Sequence, residues 1–227
     1  MMSGNLPDGL WVNVGSGDAA PRGWVNIDGS WQAWFASRPL LARAARLFTG
    51  RDVGHWPEGI ICRDVRRGLG LAPATTAVVY SSHLIEHLER HEALALLADA
   101  YRVLKPNGVC RVVTPDLAAL AQSYQQSRGA GESGAGDRFV AATLLTMPPE
   151  SASNGNPLSW YRARTAFHFH KWLYDGESLA ALFLEAGFAA ARIRHYLESD
   201  IPAQRLSEVE HESRTANGAG VIVEAIR

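Results

Sequence analysis

"LWVNVGSGDAAPRGWVNID", residues Leu10 to Asp28, joins two apolar runs through a glycine turn. LWVNV (10–14) reads as a strand, GSG (15–17) as the turn, and WVNID (24–28) as a second strand that ends in an acid. Gly15, Ser16 and Gly17 supply backbone bare enough for a ligand to approach closely. With Ala20 the turn also spells the dinucleotide fingerprint G-x-G-x-x-A. That fingerprint opens a full helix and places its acid about 20 residues further on. Here Asp28 follows Gly17 by eleven residues, and Pro21 interrupts the interval. The crossover helix is therefore one or two turns or absent, a poor seat for a pyrophosphate. A ligand without phosphate needs no such seat, and an acid at a strand end can take both ribose hydroxyls in charge-assisted hydrogen bonds.

Outward from this stretch, strand-like and helix-like runs alternate. IICRD (60–64) reads as a third strand, AVVYSS (77–82) as a fourth and VCRVVTP (109–115) as a fifth. ARIRHYL (191–197) and GVIVEAI (220–226) read as a sixth and a seventh. Leu94, Leu97, Tyr101 and Leu104 recur at helical steps after Glu92, and Lys105-Pro106-Asn107-Gly108 ends that helix in a turn. Residues 31–48 read as two short helices, the second starting near Ser37 with Pro39 in its opening turn. Residues 117–127 suit another helix, and the polar, glycine-rich RGAGESGAGD (128–137) reads as a mobile loop. Asp175 is an N-cap for a helix whose face is Leu179, Leu182, Phe183 and Ala186, with Gly187 at C′. Such alternation predicts an α/β fold with a doubly wound, mostly parallel, seven-stranded sheet covered on both faces. We read one domain over 1–227, with a substrate cap inserted after the fifth strand at about 116–172.

Lysine and arginine number 22 against 23 acids, for a net charge of -1. No long basic run exists, so no nucleic-acid partner is expected. No stretch approaches 18 apolar residues, so no membrane span is expected. Cys62 and Cys110 lie in apolar runs and read as buried thiols. No signal-like segment opens the chain, and a cytoplasmic location is the expectation.

Four stretches resemble the class I S-adenosylmethionine (SAM)-dependent methyltransferases. In particular they are similar to the short bacterial type often encoded beside glycosyltransferases for surface polysaccharide. VNVGSGDAAPRGWVNID looks like that family's glycine loop running quickly into its second strand. YSSHLIEHL (80–88) is similar to the segment after its fourth strand. YRVLKPNGVCRVVTPDL (101–117) resembles its R-V-L-K-P-G-G signature, with Asn107 where glycine is usual. HKWLYDGESLAALFLEAGF (170–188) is similar to its late helix. The resemblance implies a Rossmann-like methyltransferase fold, with the seventh strand antiparallel beside the sixth. Its cofactor would be SAM, and the product S-adenosyl-L-homocysteine. Gly15, Ser16 and Gly17 would face the methionine part and Asp28 the ribose. Asp64 would meet the adenine amino group with the Val65 backbone nearby, and Ser82 and His83 would line the methionine end. Asn13 departs from the acid the family often carries two residues before the first glycine.

The acceptor chemistry points to histidine. Methyl transfer to a hydroxyl needs a base, and His87, His168 and His170 are the candidates. His83 and His87 share a face if 83–88 is helical, and Glu86-His87 reads as a hydrogen-bonded pair under the cofactor. H-L-I-E-H invites comparison with zinc-binding H-E-x-x-H, but the acid is misplaced and no third ligand is identifiable, so no metal is expected. In AFHFHKW, alternation puts His168 and His170 on one side of an extended segment. Trp160, Tyr161, Phe167, Phe169 and Trp172 suit a sugar ring, an aromatic acceptor or the packing of a lid. Arg162, Arg164 and Arg214 suit an acceptor phosphate or carboxylate. The expected function is transfer of a methyl group from SAM to a small-molecule or glycan-precursor acceptor at oxygen. A nicotinamide oxidoreductase and a non-catalytic binding protein of the same fold are the alternatives. Oligomeric state stays open, a homodimer being one option.

Overall fold

The computed structural model describes residues 6–30, 33, 34, 37, 38, 40, 57, 59–145, 169–215 and 219–227. The readings placed on most of 31–48, on His168 and on Trp160, Tyr161, Arg162, Arg164 and Phe167 lie outside the described residues.

Seven strands form one sheet: β1 (Leu10–Val14), β2 (Val25–Asp28), β3 (Ile61–Cys62), β4 (Thr76–Ser82), β5 (Leu104–Thr114), β6 (Ala191–Arg194) and β7 (Val221–Ile226). Their order is β3-β2-β1-β4-β5-β7-β6. The first five run parallel, and β7 lies antiparallel between β5 and β6. The chain steps from β1 to β2 on one side and returns to β4 on the other, so the strand order reverses between β1 and β4. Ligands of open α/β sheets bind beyond the strand ends at such a reversal.

Both sheet faces are buried, which is why β4 reads as an unbroken apolar run. On one face lie α1 (Arg90–Val103) and α4 (Gly176–Glu185), whose Leu97, Ala100, Leu179, Leu182 and Phe183 pack on Val12, Val14, Val79, Cys110, Val112 and Val223. On the other, Trp24, Val78, Tyr80, Val113 and Ile222 meet Ile201, Leu206 and Val209 from the segment joining β6 to β7. That segment includes the short α5 (Ala203–Leu206). Trp24 meets Trp11 edge to face at 5.3 Å between ring centres, and its Nε1 donates to Glu208 Oε2 at 2.8 Å. Cys110 is buried and Cys62 only half-buried, both as free thiols.

Four boundaries differ from the sequence reading. Residues 105–108 do not end in a turn but bulge within β5, where the β4 register jumps from Leu104 to Val109. Asn107, at φ +65, and Gly108 there bond the backbone of Arg227. Asparagine tolerates that left-handed conformation, which explains its place where glycine is usual. RGAGESGAGD is not a loop throughout. Residues 128 and 129 finish α2 (Leu117–Gly129), and 135–137 open α3 (Ala135–Thr143). Gly131 and Gly134, both at positive φ, make the corner, and Arg138 pairs with Glu132 across it. The third and sixth strands are shorter than read, because the chain leaves the sheet after Cys62 and Arg194.

Helix α4 starts as read. Asp175 Oδ1 accepts from Ser178 N at 2.8 Å, and Ser178 Oγ accepts from Asp175 N at 3.0 Å, a reciprocal cap. Asp175→Ala is expected to cost about 1 kcal/mol in urea unfolding. The Ser178 hydrogen bonds hold the Asp175 carboxyl below its ordinary value. The stabilisation is therefore complete above the unfolded-state aspartate pKa and fades as pH falls through the lower folded one. A loss that is independent of pH over that acid range would contradict this.

Candidate functional site

A crevice of about 250 Å³ opens at the strand-order reversal. The glycine loop after β1 forms its floor. Gly15 N and Ser16 N donate to Ile27 O at 2.8 and 3.2 Å, and Gly17 N donates to Asp28 Oδ2 at 2.8 Å. Asp28 also accepts from Ser30 N through Oδ1 at 2.8 Å. Each oxygen keeps a second lone pair. No helix stands between Gly17 and β2; turns alone fill the interval. Asn13 is buried, and its amide donates to Ala19 O at 2.8 Å. A neutral side chain thus orders the loop from beneath, where an acid is usual.

The glycines have separate reasons. Gly15 sits at φ +71, and a Cβ there would meet Leu84 side-chain atoms at 3.0–3.2 Å. Gly17 sits at φ +56 with nothing within 4 Å of its missing Cβ, so it borders open space.

The other walls come from more distant segments. Asp64 caps a 3₁₀ turn at Val65–Arg67. Its carboxylate takes a forked pair of hydrogen bonds from Arg66, at 2.9 and 2.8 Å, and these hold it below its ordinary pKa. Ser82 ends β4 and His83 follows it in a left-handed conformation at φ +52; both line the crevice. Only Ile85–His87 is helical, a single 3₁₀ turn, so His83 and His87 do not share a helix face as the sequence suggested. Nor do Glu86 and His87 pair as read. His87 Nδ1 lies 3.1 Å from Phe169 O, while Glu86 Oε2 accepts from Thr114 Oγ1 at 3.1 Å.

The crevice gathers Gly15, Ser16, Gly17, Asp28, Asp64, Val65, Ser82, His83 and His87. His170 does not line it. That residue is buried against His87, with ring centres 5.1 Å apart, and its Nδ1 lies 2.8 Å from Thr143 O. Burial pushes its pKa down. Trp172 is exposed away from the crevice lining.

Sequence reasoning missed Tyr80, Val209 and His211, and it had Arg214 without a location; all four line the crevice. The last three come from the β6–β7 connection, which Arg111 holds in place. Arg111 is fully buried in the middle of β5. Its Nε and Nη2 donate to Glu210 at 2.7 and 2.8 Å, and Nη1 to Glu224 at 3.1 Å. The remaining two donors reach Glu198 O and His195 O at 2.9 and 3.0 Å. Burial lowers the guanidinium's pKa, but the Glu210 and Glu224 carboxylates together raise it above its ordinary value. The available signal was a lone arginine in the apolar run of a central strand, which must find acids.

The sequence pattern of the family described as "Methyltransferase domain" matches residues 18–192. The chain belongs to that methyltransferase family. A SAM-dependent methyltransferase from Archaeoglobus fulgidus is similar in structure at 14% identity, with a TM-score of 0.50 over 98% of this chain and 87% of that one. Another, from Thermotoga maritima, is 17% identical, with a TM-score of 0.49 over 98% and 84%. No curated protein matches the chain in sequence. The expected α/β methyltransferase fold is thus the observed one. The cofactor of this methyltransferase is SAM, with S-adenosyl-L-homocysteine as the product. The residues fit that group: loop glycine faces open space, a buried carboxylate keeps free lone pairs, and His83 Nε2 is buried with no hydrogen-bond partner among the described residues. Among the described residues no helix is long and apolar enough to cross a membrane.

Proposed function

We propose that the chain methylates a hydroxyl of a small molecule or glycan precursor, with the crevice at the β1–β4 reversal as its cofactor site. The observation that carries this reading is the union of a bare glycine loop, Asp28 at the end of β2 and a histidine wall after β4 around one crevice. In it, Gly15, Ser16 and Gly17 carry the methionine part, Asp28 the ribose hydroxyls, Asp64 and Val65 the adenine, and Ser82 and His83 the methionine end. SAM supplies an electrophilic methyl group when bound. The chain aligns the acceptor with it and excludes water, and alignment alone is worth up to roughly 7–11 kcal/mol in ideal cases. A histidine taking the hydroxyl proton adds about 10²–10⁴-fold. His83 and His87 stand at the crevice for that task, and His168 belongs to the cap we place at about 116–172. His170, behind His87, acts through its neighbour. The missing helix after Gly17 counts against a nicotinamide dinucleotide.

The test is incubation with methyl-labelled SAM and a panel of sugars, nucleotide sugars and phenols. Label transferred to oxygen is the expected result. Transfer to nitrogen alone, or to no acceptor while SAM binds, would overturn the acceptor assignment.

A further inference from the structure

We propose that Glu86, His87 and His170 form a binding site for one divalent transition-metal ion, best suited to zinc. One ligand atom from each of the three lies within 4.8 Å of the others. The third ligand, absent from H-L-I-E-H, arrives from 83 residues downstream of His87. Two backbone hydrogen bonds bring it there: Lys171 N and Trp172 N both donate to Glu86 O, at 2.7 and 3.2 Å. The segment carrying His170 is thereby pinned to the residue that supplies the carboxylate.

Both imidazoles are held in the tautomer a metal needs. His87 Nδ1 faces Phe169 O at 3.1 Å, and His170 Nδ1 faces Thr143 O at 2.8 Å. A carbonyl only accepts, so each Nδ1 carries the proton and each Nε2 keeps its lone pair. Metal-ligating histidines are oriented by this same bond to a backbone carbonyl.

The carboxylate has a separate need. Glu86 is fully buried, and its Oε1 makes no hydrogen bond. His83 Nδ1 is 3.2 Å from Oε1 but lacks hydrogen-bond alignment. Among the described residues no lysine or arginine side chain pairs with this carboxylate. A buried carboxylate with one oxygen left without a hydrogen bond is costly, and a cation between Glu86 and the two imidazoles removes that cost. Two histidines and one glutamate leave a fourth position open, the donor set of catalytic zinc sites. Zinc–nitrogen distances of about 2.0–2.1 Å put tetrahedral ligands roughly 3.3 Å apart, so zinc binding draws these atoms closer than they stand now. With zinc bound, His87 is a ligand, and His83 is the free imidazole at that wall. The site stands whether or not the acceptor assignment does.

The full chain is stripped with a chelator and titrated with Zn²⁺ against a chromophoric competitor. Expected is one equivalent that survives Cys62→Ser and weakens by about 100-fold or more in His170→Ala, since outer partners alone are worth 10–100-fold. Should His170→Ala not fold, Co²⁺ titrated into the wild-type chain decides instead. Ligand-field bands of a nitrogen–oxygen site without thiolate charge transfer support the proposal. Absent bands, thiolate charge transfer, or zinc affinity equal in wild type and a folded His87→Ala/His170→Ala chain would overturn it.

Discussion

Arg111→Met unfolds at markedly lower urea, with a loss of about 3–5 kcal/mol. The guanidinium spends all five donors on two carboxylates and two carbonyls, and among the described residues no other cation pairs with Glu210. Glu224 retains Arg194 at 3.7 Å, so the deficit concentrates on Glu210. Methionine fills the volume but leaves a carboxylate buried without a counter-charge. The expected damage is therefore larger than a cavity of similar size would give. Replacing Arg111, Glu210 and Glu224 together by apolar residues is expected to recover most of the loss, because the unpaired charges go as well. The local consequence is in the crevice. Glu210 also accepts from Leu197 N at 3.1 Å and Glu224 from Asp200 N at 3.2 Å, so the network fastens the connection that carries Val209, His211 and Arg214. An unfolding free energy within about 0.5 kcal/mol of wild type, typical of surface substitutions, would show that the network is incidental.

Asp28→Ala weakens binding of S-adenosyl-L-homocysteine by about 5- to 150-fold, or 1–3 kcal/mol. Two effects add. The charged acceptor for the ribose hydroxyls disappears, and Gly17 N loses its 2.8 Å bond, which shapes the loop. Asp28→Asn separates them. The amide oxygen still accepts one backbone donor, but the charge is gone. Calorimetry is expected to rank wild type above Asn and Asn above Ala. Equal affinity in all three would put the ribose elsewhere.

How far the sequence could be read depends on the range of the contacts. The strand at Leu10–Val14, the cap at Asp175 and the face of α4 were readable because they rest on neighbours within four residues. The antiparallel seventh strand beside the sixth followed from a resemblance across four segments. The glycine loop and Asp28 were readable because eleven residues cannot hold both a phosphate-binding helix and a second strand. What escaped was long-range. Glu210 and Glu224 lie 99 and 113 residues from Arg111, and His170 lies 84 from Glu86. No local pattern pairs such residues. RGAGESGAGD misled because composition was weighed above geometry. Gly131 and Gly134 serve one corner, while Gly129 and Gly136 lie within the flanking helices.

The central claim is that the crevice between β1 and β4 holds the adenosyl donor with its ribose on residue 28. A crystal structure of the full chain with S-adenosyl-L-homocysteine tests this most directly. The account predicts ribose hydroxyls on the Asp28 carboxylate and the amino-acid end beside Gly15 to Gly17. Ligand density at another place, with this crevice filled by protein side chains, would contradict it.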